Sequence, residues 1–202
     1  MTELWESMFI ENENMWGFEP AYSAVLIKDF FLENKIKNIL IPGIGYGRNA
    51  KIFIENRIDV TGIEISKKAI DLARENQLNI RIFNGSVTDM PFSNEYYDGI
   101  FCYALLHLLN SNERAKFIKD CYNQLKPDGY MIFVTVSKEA SMYGMGKKLG
   151  EDYFEVSKDM KIFFYDSDSI RQDFNKYGLI ELSKIVESNM LEFILIKCQK
   201  KI

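Results

Sequence analysis

The chain is poor in the residues from which metal and disulfide sites are built. Among 202 residues it has one histidine and three cysteines. His107 alone cannot assemble a conventional zinc site, and Cys102, Cys121 and Cys198 lie far apart with no C-x-x-C pair. No metal centre, zinc knuckle or disulfide framework is therefore expected, and the setting is read as reduced and cytoplasmic. Proline is scarce, with four residues, and no Pro/Gly-rich linker, repeat or low-complexity tract divides the chain. The simplest organisation is one domain over 1–202. A basic excess is missing: 25 Lys and Arg face 29 Asp and Glu, for a net charge of −4. A general nucleic-acid binder carries the opposite balance. Long apolar runs are missing too. The longest, 99–109, is too short to cross a bilayer, and the acidic start lacks signal-peptide character. The partner expected is a small molecule, with no nucleic acid and no membrane, and the chain acts as a monomer or homodimer.

What is present is an alternation of apolar runs and helical patterns. Residues 37–41, 59–65, 79–83, 97–103 and 130–136 read as five strands, the fourth a nearly continuous apolar run of the kind a buried parallel strand needs. Helical patterns separate them at 48–56, at 67–76 with Ser66 as cap, and after Ser111, where Ile118, Cys121, Tyr122 and Leu125 share a face. Lys126-Pro127-Asp128-Gly129 should stop that last helix. Residues 138–166 are polar and aromatic-rich, with glycines at 144, 146 and 150, as in a movable lid. After a helix near 167–177, runs 179–186 and 190–197 are joined only by Glu187-Ser188-Asn189. So short a link cannot carry a parallel crossover, so the pair is an antiparallel hairpin. The expected architecture is an α/β, Rossmann-like, three-layer α/β/α sandwich with a seven-stranded, mostly parallel sheet and a C-terminal antiparallel hairpin. Its parts are a helical cap (1–35), a core (36–136), a lid insertion (137–166) and a final helix and hairpin (167–202).

The chemistry gathers at Ile39-Leu40-Ile41-Pro42-Gly43-Ile44-Gly45-Tyr46-Gly47-Arg48-Asn49. A strand runs into three glycines and a helix follows, so backbone and helix N-terminus can approach a carboxylate or phosphate closely. The spacing is G-x-G-x-G. The dinucleotide fingerprint G-x-G-x-x-G needs glycine at 48, where Arg48 stands. Glu64 ends the second strand, placed to accept hydrogen bonds from ribose hydroxyls.

With Val60-Thr61-Gly62-Ile63-Glu64-Ile65-Ser66, Gly85-Ser86-Val87-Thr88-Asp89-Met90-Pro91-Phe92, Tyr97-Asp98-Gly99-Ile100 and Leu125-Lys126-Pro127-Asp128-Gly129-Tyr130, the glycine turn forms an ordered set. It resembles the motif set of class I S-adenosylmethionine-dependent methyltransferases. Pro42 to Asn49 resembles the tellurite-resistance and thiopurine methyltransferase branch. The resemblance implies S-adenosyl-L-methionine as cofactor and S-adenosyl-L-homocysteine as product. It implies that Gly43, Gly45 and Gly47 line the methionine portion, with Ile44 and Asn49 also binding the cofactor, that Glu64 binds the ribose, and that Ile65, Ser86 and Val87 contact the adenine. Phe101, Cys102 and Tyr103 would lie near the sulfonium. Two positions depart from the family pattern: Ile41 replaces an acid that usually precedes the first glycine, and Ser86 replaces an aspartate.

The reaction so implied is in-line methyl transfer to a small acceptor, with thiol, chalcogen, nitrogen or oxygen nucleophiles all open. His107 is a candidate base or substrate contact, and Trp16, Tyr143 and Tyr165 are candidate substrate contacts. No Asn/Asp-Pro-Pro-Tyr follows the fourth strand, where Phe101-Cys102-Tyr103-Ala104 stands; this counts against adenine or glutamine amino groups. A nicotinamide-dependent oxidoreductase and a non-catalytic S-adenosylmethionine-binding module are the alternatives.

Overall fold

Ile39 and Ile41 pack into one apolar cluster and Leu40 into another. Both faces of that strand are covered, because successive side chains point to opposite sides of a sheet. The structure is a computed structural model and describes residues 2–187 and 191–201. Its first half runs α1 (Thr2–Asn12), α2 (Tyr22–Glu33), β1 (Asn38–Pro42), α3 (Ala50–Glu55), β2 (Asp59–Glu64), α4 (Lys67–Glu75), β3 (Arg81–Asn84) and β4 (Tyr97–Tyr103). The second half runs α5 (Ser111–Gln124), β5 (Leu125–Val136), β6 (Lys147–Gly150), β7 (Tyr153–Ser157), β8 (Met160–Phe163), α6 (Ser167–Phe174), β9 (Leu179–Val186) and β10 (Glu192–Gln199).

Seven strands form the main sheet in the order β3-β2-β1-β4-β5-β10-β9. The first five are parallel, and β10 runs antiparallel to both β5 and β9. The expected hairpin is present, though part of its turn, Ser188 to Met190, lies outside the described residues. One face of the sheet packs Ile27, Phe31 and Phe53 against Phe101 and Ile132. The other packs Phe117, Ile118 and Phe174 against Cys102 and Phe133. Each such side chain contributes about 1.5–3 kcal/mol on burial. All three cysteines are buried and unpaired.

Three local readings are corrected. Asn110, not Ser111, caps α5: its side chain accepts from the Glu113 amide while Glu113 accepts from the Asn110 amide. Lys126 to Gly129 does not separate helix from strand. It is an irregularity inside β5, where pairing with β4 shifts between Tyr97 and Gly99 and Asp128 adopts φ 61°. Residues 138–166, read from sequence as a polar, aromatic-rich lid without assigned strands, hold the three-stranded antiparallel sheet β6-β7-β8. Lys138 anchors that sheet to the core, its ammonium 2.6 Å from both Asp152 and Asp166.

Candidate functional site

Strand order reverses at β1, which leaves a crevice at the carboxyl ends of β1 and β4, where ligands sit in open α/β sheets. A cavity of about 770 Å³ opens there, toward the upper end of the roughly 300–1,000 Å³ usual for small-molecule sites. On the β3-β2-β1 side it is lined by Gly43, Ile44, Gly45, Glu64, Ile65 and the segment 85–88. On the β4-β5-β10 side it is lined by Tyr103, His107, Val136 and Phe193, with Met142, Met160 and Ile162 from the lid region. Phe193 reaches the same edge as Val136 because β10 is antiparallel and pairs the two.

The amides of Gly43, Ile44, Gly45 and Gly47 are engaged within the protein and are not left free for an anion, as the sequence suggested. Gly43 and Ile44 N–H groups donate to the Ile63 carbonyl at 2.8 and 3.1 Å, and Gly45 N–H donates to Glu64 Oε2 at 2.8 Å. The following helix begins only at Ala50 and has six residues. What the turn presents instead is the carboxylate of Glu64, which is buried and accepts from the Ser66 amide at 2.9 Å through its other oxygen. Burial raises its pKa above the ordinary glutamate value, against the lowering effect of the amides of Ser66, Gly45 and Ile65. Gly43 and Gly45 adopt φ of 67° and 59°, and a Cβ on Gly43 would stand 3.0 Å from Leu105. The Ser86 hydroxyl is engaged locally, 2.7 Å from that of Thr88 and accepting the Thr88 amide. Ile41, the departure from the family pattern, is buried in the core. Asn49 lines the cavity and accepts from the Ala21 amide at 2.8 Å.

Helix α1 and the turn after it roof the cavity with Trp5, Met8, Phe9 and Trp16. Trp16 stacks on Tyr46 with centroids 6.2 Å apart, and the Tyr46 hydroxyl donates to the Gly17 carbonyl at 2.7 Å. Glu6 latches this roof to α4: it accepts from the Ser66 hydroxyl at 2.7 Å and from the Lys68 amide at 3.2 Å. The Ser66 hydroxyl, first among these contacts, holds the Glu6 carboxyl below its ordinary value. A depressed carboxyl stabilises fully above its unfolded pKa and loses that stabilisation as pH falls through its folded value. The roof should therefore loosen on acidification below about pH 4. Glu6→Ala should weaken docking by about 0.5 kcal/mol at neutral pH, the contact being half-exposed and screened. Both tryptophans of the chain lie in the roof, so their emission and the protease sensitivity of α1 report the loss. Unchanged emission and cleavage in Glu6→Ala would mean the apolar contacts alone hold α1.

On the other side, the Tyr103 hydroxyl is pushed up to about 12 by burial and by the Glu187 carboxylate. Glu187 is buried at the cavity wall and accepts from the Tyr22 and Ser23 amides at 2.8 and 3.2 Å, so it also caps α2. Ala104 follows β4 with φ 53°, a left-handed conformation uncommon for a residue other than glycine. His107 sits in a 3-10 turn, buried but lining the cavity, its pKa pushed down to about 3 by burial.

Five sequence candidates fall outside the cavity lining. Phe101 and Cys102 are wholly buried on opposite faces of the sheet; only Tyr103, the last residue of β4, reaches the edge. Gly47 (φ 83°) faces Leu78, whose Cδ2 would lie 2.3 Å from an added Cβ. The Tyr143 ring packs against Phe154 and Phe164, and its hydroxyl donates to Asp152 at 2.7 Å. Tyr165 is wholly buried, with its hydroxyl on Asp173 at 3.0 Å. Trp16, Ile44, Gly45, Asn49, Glu64, Ile65, Ser86, Val87 and His107 do line the cavity. Tyr46, Glu187 and Phe193 were not singled out from sequence. Among the described residues no cluster of three His, Cys, Asp or Glu could hold a metal, and no helix is long and apolar enough to cross a membrane.

Comparison with known proteins agrees with this geometry. The family described as "Methyltransferase domain" matches residues 40–133. An uncharacterized methyltransferase of Oceanobacillus iheyensis is 24% identical over 209 residues, covering 99% of this chain and 95% of that protein. The sarcosine/dimethylglycine N-methyltransferase of Aphanothece halophytica is 30% identical over 130 residues, covering 57% of this chain and 46% of that protein. The fold matches that of the 1,6-didemethyltoxoflavin-N1-methyltransferase of Burkholderia thailandensis, crystallised with its acceptor and S-adenosylhomocysteine. There the TM-score is 0.78 at 13% identity, over 100% of this chain and 87% of that one. The nicotinamide and non-catalytic alternatives give way. With its glycine turn, its buried Glu64 and its antiparallel closing strands, the chain has the Rossmann-like fold of S-adenosylmethionine-dependent methyltransferases, and the domain match over 40–133 and the relatives support methyl transfer from that cofactor.

Proposed function

We propose that this enzyme methylates a small, largely apolar molecule through a nucleophile that needs no strong base from the protein, with thiols first in the order of testing. The supporting observation is the character of the β4-β5-β10 end of the cavity, walled by Tyr103, Val136, Met142, Met160, Ile162 and Phe193. Such walls exclude water and orient a flat or apolar acceptor, and methyl transfer depends largely on positioning and desolvation. His107 at pKa about 3 is too weak a base to collect a proton at neutral pH, and Tyr103 at about 12 is too weak an acid. The resemblance of Pro42 to Asn49 to the tellurite-resistance and thiopurine branch supports starting with thiols. The N-methyltransferases among the relatives keep amines second.

The residues present fit the cofactor. Glu64 is buried with no cation paired to it among the described residues, and each of its oxygens accepts one short amide bond. A carboxylate has about four acceptor positions, so it retains capacity for two neighbouring hydroxyl donors such as those of a ribose. Ile65 and Val87 offer apolar walls to an adenine. When bound, S-adenosylmethionine supplies an electrophilic methyl group on a sulfonium. Tyr46 and Trp16 close the roof above the glycine turn.

The test is calorimetric titration with S-adenosylhomocysteine, followed by a radiolabelled-methyl screen of aromatic thiols, amines and phenols. Micromolar binding with transfer to thiols is the expected result. Binding with transfer only to phenols would overturn the nucleophile class, and no binding by a folded protein would overturn the cofactor assignment.

A further inference from the structure

We propose that His107 is a positioning residue of the acceptor site, a neutral imidazole that carries its single ring proton on Nε2 and donates it to a carbonyl oxygen or ring nitrogen of the methyl acceptor. The inference rests on the methyl-transfer reading and deepens it, because it names a feature the acceptor must carry. The geometry around the ring assigns the tautomer. The backbone N–H of Val136 lies 3.3 Å from Nδ1, and a backbone amide can only donate. Nδ1 therefore presents its lone pair, and in a neutral imidazole the proton then sits on the other nitrogen. The Thr135 hydroxyl, also 3.3 Å from Nδ1, reinforces the same side of the ring. Both contacts come from the end of β5, so the sheet itself sets the orientation.

Among the described residues Nε2 has no protein partner: both hydrogen bonds of the ring are made through Nδ1. Nor is it sealed away, for the ring lines the cavity. A donor in an apolar wall without an acceptor is unfavourable, and a ligand that supplies one is selected over a ligand of the same shape that does not. Phe193 stands beside the imidazole, with centroids 6.3 Å apart, and Tyr103 stands beside Phe193 at 5.8 Å. A flat acceptor placed against these rings would meet one N–H donor.

Charged groups do not disturb this state. The elements packed near the ring carry Glu113 at the start of α5, Lys161 on β8, and Glu187 and Glu192 at the β9–β10 hairpin, and none of them forms an ion pair with it. Burial alone disfavours the protonated ring. The ring therefore stays neutral across the physiological range and acts as a donor, not as a proton acceptor.

Because the chain has one histidine, its ring nitrogens give a single set of long-range ¹H–¹⁵N signals. The experiment records them from pH 5 to 8 on the protein saturated with S-adenosylhomocysteine, then adds 1-indanone or indane, bicyclic probes that differ by one carbonyl. The expected result is the Nε2–H pattern at every pH, with a shift of the Nε2 signal on adding 1-indanone. 1-Indanone should also bind at least about tenfold tighter than indane. That preference should vanish in His107→Phe and return in His107→Gln, whose amide NH₂ reaches the Nε2 position. An Nδ1–H pattern, a titration between pH 5 and 8, a preference unchanged in His107→Phe, or no binding of either probe would overturn the proposal. Failure of S-adenosylhomocysteine to bind in the same samples would instead count against the methyl-transfer reading.

Discussion

Glu64→Gln is expected to weaken S-adenosylhomocysteine binding by roughly 100-fold, since two hydrogen bonds to a charged acceptor contribute about 3 kcal/mol together. The substitution keeps the shape of the side chain but removes the charge, and turns one oxygen into an NH₂ that must face a backbone donor, Gly45 or Ser66. Glu64→Ala should lose more, because it also frees both amides and with them the link between the glycine turn and α4. The wild-type pH dependence carries the sign of the same residue. Burial raises the Glu64 pKa in the folded, ligand-free protein. Below the unfolded value the carboxyl is neutral in both states. Between the two values the folded state binds more protons, so stability falls as pH rises through that window. Ribose hydroxyls donating to the carboxylate favour its charged form, so binding releases a proton where Glu64 was protonated. Affinity should therefore rise with pH up to the ligand-free pKa and then level off. Calorimetry in buffers of different ionisation enthalpy measures that proton, and Glu64→Gln should show none. A variant that binds as tightly as wild type would remove Glu64 from the cofactor site.

Gly178→Ala should lower the melting temperature by about 6–12 °C, taking about 3 kcal/mol lost and roughly 2–4 °C per kcal/mol for a chain of this size. Gly178 ends the turn after α6 with φ 73°, and an added Cβ would lie 2.0 Å from the Gln199 carbonyl oxygen and 3.1 Å from its carbon. The left-handed conformation costs a non-glycine residue about 1–2 kcal/mol. The rest follows because the clashing atoms are backbone, at the end of β10, where the Gln199 amide donates to the Gly178 carbonyl at 2.9 Å. Gly144→Ala is the control. It has φ 81° but nothing within 4 Å of the added Cβ, so it should cost only about 1 kcal/mol. Equal losses in the two variants would mean that β10 shifts freely to admit the methyl group.

The centre of the main sheet was legible because β1, β4 and most of β5 are buried on both faces and so read as apolar runs, as 97–103 does. The hairpin was legible from the length of its link alone. The lid sheet was not. Its strands are four or five residues long and bury only Phe154 and Ile162, and its two turns use Asp152 and Asp159 at positive φ where a glycine would have signalled them. Within the site, the spacing of Gly43, Gly45 and Glu64 marked one wall of the cavity. Phe101 and Cys102 were drawn in because sequence places them beside Tyr103, whereas strand geometry sends them into the two cores. Glu187 was invisible for a different reason: its partners at Tyr22 and Ser23 lie 165 and 164 residues away in the chain, and no local pattern announces such a contact.

Residues 40–133 carry the family match, yet the strand that completes their sheet comes from much further along. β10 covers β5 through seven residue pairs, from Phe193↔Val136 to Gln199↔Tyr130. Severed from 191–201, the matched segment would turn β5 into a long apolar border with its backbone donors and acceptors open, and another copy could add a strand to it. The matched segment thus relies on the last strand to cover its sheet edge as well as to shape the site.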